Sequence, residues 1–200
     1  MGDGVKLGER IDAIVIGASA GGVEALSVVL PALPARLRAA VFVVIHLPRE
    51  RPSLLVDIFA AKCRVPVVEA CDKEPVVPGT VYFAPPDYHL LVDEGPLLSL
   101  SADELVNFSR PSIDVLFESA VDIYAARLMG VILTGGNDDG AAGLDAIRRA
   151  GGITVVQRPE TAQTSLMPES ALKRGAADFV LTIEEIAALL RGFDDDGLTE

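Results

Sequence analysis

The sequence is poor in cysteine, in histidine and in long apolar runs. Two of the 200 residues are cysteines and two are histidines. The spacing of Cys63 and Cys71 fits neither a disulfide framework nor a zinc knuckle, so we expect reduced thiols in a cytoplasmic protein. No stretch reaches the ~20 apolar residues that a membrane span needs. The N-terminal MGDGVKLGER lacks the apolar core of a signal peptide.

Positive charge is also scarce. Lysine and arginine total 17 against 29 acidic residues, which gives a net charge of −12. Such a surface repels phosphate backbones and anionic lipids, so we expect no nucleic-acid binding and no membrane insertion. No histidine or cysteine lies three or four positions from another, and we therefore expect no metal site.

Half of the residues are hydrophobic, in short β-branched runs that alternate with amphipathic segments. This alternation predicts an α/β fold, with a doubly wound, mostly parallel sheet and helices on both faces. Shorter runs at 66–70, 80–85, 89–93 and 97–100, separated by glycine and proline, predict a short antiparallel hairpin region at one edge. The other predicted strands are 11–17, 39–46, 128–134, 153–157 and 179–181. The predicted helices are 21–33, 52–63, 111–126, 139–150, 168–174 and one that begins at a capping box of Thr182 and Glu185.

Side chains suited to catalysis lie at the ends of three of these strands. Ser19 lies in the G-A-S-A-G segment at 17–21, whose spacing resembles a nucleophile elbow. His46 ends the second strand, and Asp138 and Asp139 lie in the loop after the strand at 128–134. Ligands of such folds bind beyond the carboxyl ends of the strands. The placement therefore favours a Ser-His-Asp hydrolase, with backbone N–H groups after the serine as oxyanion donors.

Each residue also has a structural interpretation. A serine in a glycine turn can cap a helix or line a phosphate loop, and a histidine at a strand end can simply be packed there. Aspartate is a common helix N-cap. The other histidine, His89, lies in the predicted hairpin region. The occurrence of three such residues at three ends of one sheet is what favours catalysis.

Six segments together resemble the catalytic domain of the chemotaxis receptor methylesterase family (CheB). They are IGASAGG, VVIHLP, VYFAPPDYHLLV, RPSIDVLFESA, VILTGGNDDGAAGL and MPESAL, and they span residues 11–190. The resemblance implies hydrolysis of glutamate methyl esters on chemoreceptors, in many members also deamidation of receptor glutamine, with no cofactor. It implies that Ser19 is the nucleophile, His46 the base and Asp139, rather than Asp138, the orienting acid.

The chain departs from the family pattern at two predicted oxyanion donors. The family often has T-G-M-G-x-D-G where this chain has T-G-G-N-D-D-G. Gly136 therefore stands at the methionine position, whose backbone N–H the resemblance implies in oxyanion binding, and the flexibility of glycine lowers the expected preorganisation. Ala20 replaces the usual threonine or serine after the nucleophile, but its backbone N–H is retained.

On this resemblance we predict a catalytic domain over residues 11–191, with an N-terminal extension at 1–10 and an acidic C-terminal tail at 192–200. The implied partner is the cytoplasmic region of a methylated chemoreceptor. Many family members carry a receiver domain before the esterase. We therefore expect either a stand-alone member, for which a receiver or kinase would be a separate partner, or a shortened chain.

Other functions fit the sequence less well. The glycine turn loosely resembles that of short-chain dehydrogenases, but Val23 stands where their loop has glycine. Tyr124 is followed four positions later by Leu128 instead of lysine. A non-catalytic module that binds receptors or signalling proteins, and a serine esterase for another ester, are the remaining alternatives.

Overall fold

The computed structural model describes residues 11–46 and 54–194. The predicted extension at 1–10, most of the predicted tail and the start of the predicted helix at 52–63 lie outside the described residues. The strands are β1 (Ala13–Ala18), β2 (Ala40–Ile45), β3 (Val67–Glu69), β4 (Val81–Phe83), β5 (His89–Asp93), β6 (Leu97–Ser101), β7 (Leu128–Ile132), β8 (Ile153–Gln157) and β9 (Phe179–Leu181). The α-helices are α1 (Gly22–Val29), α2 (Leu55–Ala60), α3 (Ile113–Tyr124), α4 (Ala141–Arg149), α5 (Leu166–Lys173) and α6 (Ile183–Arg191).

Seven parallel strands form one sheet in the order β3-β4-β2-β1-β7-β8-β9. Every residue of β1 and β2 is buried, as expected for central parallel strands that are covered on both faces. From β1 the chain adds β2 on one side and later β7 on the other. The carboxyl ends of β1 and β7 therefore flank the point where the winding reverses, which is where such sheets bind ligands.

Helices cover both faces of the sheet. One apolar cluster includes Leu26 of α1, Phe59 of α2 and Leu190 of α6. The opposite cluster includes Phe117 of α3 and Leu144 of α4, together with residues of α5. The predicted doubly wound arrangement is thus confirmed. None of the described helices is long and apolar enough to cross a membrane.

The predicted hairpin region divides into two parts. The antiparallel pair β5 and β6 forms a separate two-stranded sheet, with Leu90 and Leu98 buried in the same cluster as α3. In contrast, β3 and β4 join the edge of the main sheet as parallel strands. The connection at 70–80 is long enough for the chain to return in the same direction, which a tight hairpin turn would prevent.

Helix ends follow local chemistry. The predicted capping box is present, because Thr182 Oγ1 accepts from the Glu185 backbone N–H and Glu185 Oε2 accepts from the Thr182 backbone N–H. The helix predicted at 168–174 begins earlier, at Leu166. This places Pro168 in the first turn, where its missing N–H costs no helical hydrogen bond.

Candidate active site

Ser19 is the first residue after β1, in the turn that leads into α1. Its backbone N–H donates to the Thr134 carbonyl at 2.9 Å, and its own carbonyl accepts from the Gly22 N–H at 2.8 Å. The turn needs glycine at position 21, where φ is +80° and a Cβ would lie 2.6 Å from Gln163 Oε1. These contacts hold the half-buried Ser19 at the carboxyl edge of the sheet.

His46 directly follows β2, the neighbour of β1. The strands pair Ala18 with Ile45, and the His46 backbone N–H donates to the Ala18 carbonyl at 3.0 Å. Ser19 and His46 therefore occupy adjacent positions at the same edge of the sheet. The imidazole Nε2 lies 2.9 Å from Asp139 Oδ2, and Asn137 Nδ2 lies 3.5 Å from Nδ1. Ser19 Oγ makes no hydrogen bond to a described residue.

Asp139 is the most constrained member of the group. Its side chain is fully buried, although it lies in the loop between β7 and α4. A buried carboxylate is stable only when hydrogen bonds satisfy its oxygens. The donors within the described residues are His46 Nε2 at 2.9 Å, Asn107 Nδ2 at 2.9 Å, Ser112 Oγ at 2.8 Å and the backbone N–H groups of Ile113 at 2.7 Å and Asp114 at 3.1 Å.

The electrostatic balance at Asp139 favours the ionised form. Burial by itself raises the pKa of this carboxyl, but the hydrogen bonds from His46, Asn107 and two backbone N–H groups outweigh burial and hold the pKa below its usual value. The two backbone donors belong to the first turn of α3, where the helix dipole also stabilises negative charge. Asp139 is thus a fixed anion beside the His46 ring.

A second buried carboxylate lies next to the first. Asp114 Oδ1 accepts from the Gly143 backbone N–H at 2.7 Å, and its Oδ2 accepts from Asn107 Nδ2 at 2.8 Å. Burial raises the pKa of Asp114, and the nearby charge of Asp139 raises it further, against the hydrogen bonds that lower it. Asn107 therefore donates to both acids from one amide nitrogen.

His89, the other histidine, has both ring nitrogens occupied. It is buried, its Nδ1 accepts from the Ser112 backbone N–H at 3.1 Å, and its Nε2 lies 2.9 Å from the Glu104 carbonyl. These bonds link His89 to Ser112, whose hydroxyl donates to Asp139. Cys63 and Cys71 are free. Within the described ranges, no group of three His, Cys, Asp or Glu side chains could hold a metal ion.

The two predicted oxyanion donors lie on adjoining loops. Ala20 and Gly136 are both exposed, and neither backbone N–H is used by another described residue. Thr134 joins the two loops, because its Oγ1 donates to the Ala20 carbonyl at 2.8 Å and accepts from the Thr164 N–H at 2.9 Å. Both N–H groups are thus available near the carboxyl ends of β1 and β7.

Sequence reasoning gave no role to the residues that surround Asp139. Asp114 carries a signal that could have been noticed, because it is three positions before Phe117 and shares the apolar face of α3. Asn107 and Ser112 carry no comparable signal. Their contact with Asp139 depends on how a loop and a helix terminus pack in three dimensions.

The chain was compared with known proteins. The family model described as CheB methylesterase matches residues 14–190. A protein of Leptospira interrogans with the provisional name protein-glutamate methylesterase/protein-glutamine glutaminase is 46% identical over 189 residues, covering 94% of this chain and 98% of that protein. Protein-glutamate methylesterase/protein-glutamine glutaminase 1 of Anaeromyxobacter dehalogenans is 40% identical over 181 residues, covering 90% of this chain and 52% of that protein. This chain therefore spans nearly all of the first relative and about half of the second.

A solved structure gives the same result. The crystal structure of the CheB methylesterase catalytic domain of Thermotoga maritima superposes with a TM-score of 0.86 and 34% sequence identity, over 90% of this chain and 97% of that one. At this level of identity and coverage the likeness extends to the sequence as well as to the fold. The chain belongs to the CheB methylesterase family.

Proposed function

We propose that this protein is a protein-glutamate methylesterase that hydrolyses glutamate methyl esters of chemoreceptors through a Ser-His-Asp acyl-enzyme mechanism. Membership of a methylesterase family gives the class of reaction, which is hydrolysis of a carboxylic ester. The observation that carries the assignment of residues is the 2.9 Å contact between His46 Nε2 and buried Asp139, at the strand end beside Ser19.

In the proposed mechanism the two nitrogens of His46 have different roles, and the contact of Nε2 with Asp139 supports this division. Nε2–H donates to the Asp139 carboxylate, so in the neutral ring Nδ1 carries the lone pair. In this mechanism Nδ1 removes the proton of Ser19 Oγ as the oxygen attacks the ester carbonyl. The bond between nucleophile and base in such enzymes often tightens only when substrate binds. Asp139 stabilises the imidazolium that forms and remains ionised throughout.

In the later steps His46 again donates and accepts the proton. The tetrahedral oxyanion is bound by the backbone N–H groups of Ala20 and Gly136, and it collapses as His46 donates its proton to the departing methoxide to give methanol. Water, deprotonated by His46, then attacks the acyl-enzyme. A second collapse releases the glutamate carboxylate and returns the proton to Ser19. Loss of one oxyanion donor typically costs on the order of 10²–10³ in rate.

The proposed substrate is the methylated cytoplasmic region of a chemoreceptor, and the proposed location of the enzyme is the cytoplasm. The names of both protein relatives give a glutamate methyl ester of a protein as the substrate and also include protein-glutamine glutaminase. The same acyl-enzyme would form from a glutamine side chain, with ammonia as the leaving group. We therefore include deamidation of receptor glutamine in the proposal, and ammonia release from an unmodified receptor tests it separately.

The main test is methanol release from a methylated receptor fragment. The wild-type protein is expected to release methanol and Ser19→Ala to release none above background. Ser27→Ala, on the outer side of α1, is the matched control and should behave like wild type. Equal release by wild type and Ser19→Ala would show that Ser19 is not the nucleophile.

Labelling with a fluorophosphonate separates catalysis from a purely binding role. The reagent requires an activated serine, so wild type should be labelled at Ser19 and His46→Gln should be labelled far more slowly. An unlabelled wild-type protein that still binds methylated receptor would support the non-catalytic alternative. If the protein is labelled but releases no methanol from the receptor, the result would support a serine esterase that acts on another substrate.

A further inference from the structure

Asn107 reaches the buried acids from a strained two-residue turn. Val106 and Ser109 exchange backbone hydrogen bonds of 3.2 and 2.9 Å across it. Asn107 and Phe108 between them have φ values of +51° and +60°. Two successive positive φ values in a two-residue turn are typical of type I′, in which asparagine is favoured at the first position. A bulky residue such as Phe108, here 97% exposed, is unfavourable at the second.

The turn places the Asn107 side chain in contact with both buried acids. One N–H of the Asn107 amide donates to Asp139 Oδ1 at 2.9 Å, and the other donates to Asp114 Oδ2 at 2.8 Å. Each acid has an oxygen within hydrogen-bonding distance of the same nitrogen. Two ionised carboxylates this close repel each other in a low-dielectric interior. A neutral group with two donors on one nitrogen satisfies both acids without adding a charge, which neither an aspartate nor a serine could do.

The turn is anchored from both sides. Arg110 Nη1 donates to the Ala102 and Asp103 carbonyls, each at 2.8 Å. His89 binds the Glu104 carbonyl and the Ser112 N–H. The segment at 102–112 is therefore fixed independently of the Asn107 amide. It holds the amide against Asp139 Oδ1, the oxygen that also accepts from Ser112 Oγ and the Asp114 N–H.

We propose that Asn107 is a positioning residue for the triad: its amide bridges Asp139 and Asp114 and fixes the carboxylate that orients His46. Without the bridge, Asp139 Oδ1 loses one of its three donors, and the carboxylate shifts away from the unbridged Asp114 while it keeps the bonds from Ser112 and the α3 N–H groups. The Oδ2 contact with His46 Nε2 then lengthens. The inference rests on the proposed function, because it assumes that His46 activates Ser19.

The direct test is the rate at which a fluorophosphonate labels Ser19 in Asn107→Gly. Glycine adopts a positive φ without strain, so this change removes the amide and retains the turn. Phe108→Gly is the matched control in the same turn. Labelling of Asn107→Gly should be about 10-fold slower than wild type, the effect expected for one hydrogen bond to a charged group. Phe108→Gly should be labelled at the wild-type rate.

Nitrogen-15 NMR of the ring nitrogens gives a readout that general loosening would not reproduce. The chain has only two histidines, and His89 Nε2 binds the same segment at Glu104. In Asn107→Gly we expect the His46 Nε2–H signal to move or exchange faster while the His89 signal stays in place. A change in both signals, or slowed labelling in both glycine variants, would overturn the proposal in favour of a purely structural turn.

A second variant covers the case in which Asn107→Gly does not fold. Asn107→Asp keeps the size and turn preference of asparagine but replaces the two donors by a third acceptor. It should be labelled at least 10-fold more slowly near neutral pH, and a wild-type rate would overturn the proposal. Labelling uses no receptor, so a wrong receptor substrate would not affect this test. Failure of the wild-type protein to be labelled would overturn both proposals.

Discussion

Asp139 precedes α4 but caps α3, whereas Asp114 lies in α3 but caps α4. Asp139 accepts from the N–H groups of Ile113 and Asp114, and Asp114 accepts from the N–H of Gly143. Each acid thus accepts hydrogen bonds from N–H groups in the first turn of the helix that it caps, where these groups have no partner within the helix. The two helices pack closely at this point, since a Cβ on Gly143 would lie 2.5 Å from Phe117 Cβ.

This exchange makes the proposed orienting acid part of the framework that joins α3 and α4. The Asp139 carboxylate accepts from the N-terminus of α3, whose dipole stabilises its charge, and a large rotation would leave these backbone N–H groups unpaired. The contacts that dock the two helices therefore supply part of the rigidity needed to orient His46, and the Asn107 amide adds to it. Substitutions at Asp139 should affect activity and stability together.

The two neighbouring aspartates of the loop should differ sharply in mutational effect. Asp139→Asn is expected to lower kcat for methanol release by up to about 10⁴-fold, because the amide disturbs the tautomer and charge of His46. Asp138 is exposed, and Asp138→Asn should change kcat by less than about 3-fold, as expected for surface sites. Initial rates on a methylated receptor measure both. The opposite ranking would exclude Asp139 as the orienting acid.

Acid should lower the free energy of unfolding, because it protonates the Asp139 carboxylate. Because the folded state holds the pKa of this carboxyl below its usual value, its contribution to the free energy of unfolding is complete above the unfolded value of about 3.9. The contribution is lost as pH falls through the lower folded pKa. Urea unfolding from pH 7 to pH 3 should show wild type more stable than Asp139→Asn at neutral pH and the difference shrinking below about pH 4. A difference that stays constant over this range would contradict the assignment, and Asp138→Asn is the control.

The sequence was most informative where burial and chemistry coincide on one strand. The runs that form β1, β2 and β7 are apolar enough to predict central parallel strands, and the polar residue after each run then has to lie at one edge of the sheet. This is why the placement of Ser19, His46 and Asp139 could be predicted, whereas their catalytic roles remain a proposal. The same logic did not resolve β3 and β4, whose short runs fit a hairpin or a parallel edge equally well.

The supporting contacts depend on three-dimensional packing that local sequence does not encode. Asn107 follows no apolar run, and its partner Asp139 is 32 positions away. Ser112 appears in the sequence as an ordinary N-cap of α3, yet its hydroxyl donates to Asp139, and its side chain makes no capping bond. Contacts of this kind become visible only when the relative positions of two helices and a loop are known.

Gly17 should be intolerant of a side chain for reasons of space. A Cβ there would lie 2.5 Å from Ile113 Cγ2, and Ile113 supplies the 2.7 Å backbone bond to Asp139. Gly17→Ala should therefore cost about 1–3 kcal/mol of stability, as overpacking usually does, and should also slow labelling of Ser19. Gly192→Ala, where no atom of the residues that the structure describes lies within 4 Å of the new Cβ and φ is −65°, should change neither. Full activity in Gly17→Ala would show that the α3 terminus is not needed to hold Asp139.

Gly136 should accept a side chain, unlike Gly140 in the same loop. Among the described residues, a Cβ on Gly136 meets only Thr164 Cγ2, at an ordinary 3.7 Å, whereas one on Gly140 lies 2.6 Å from Ile113 Cγ2 at a φ of +92°. Gly136→Ala should raise stability by about 0.4–1 kcal/mol, because alanine restricts the unfolded chain. It should also leave kcat for methanol release at or above the wild-type value, since a less flexible loop holds the proposed oxyanion N–H better. Gly140→Ala should lower both quantities. If Gly136→Ala folds but loses kcat with KM unchanged, the loop has to move during the reaction, and its N–H cannot act as a preorganised donor.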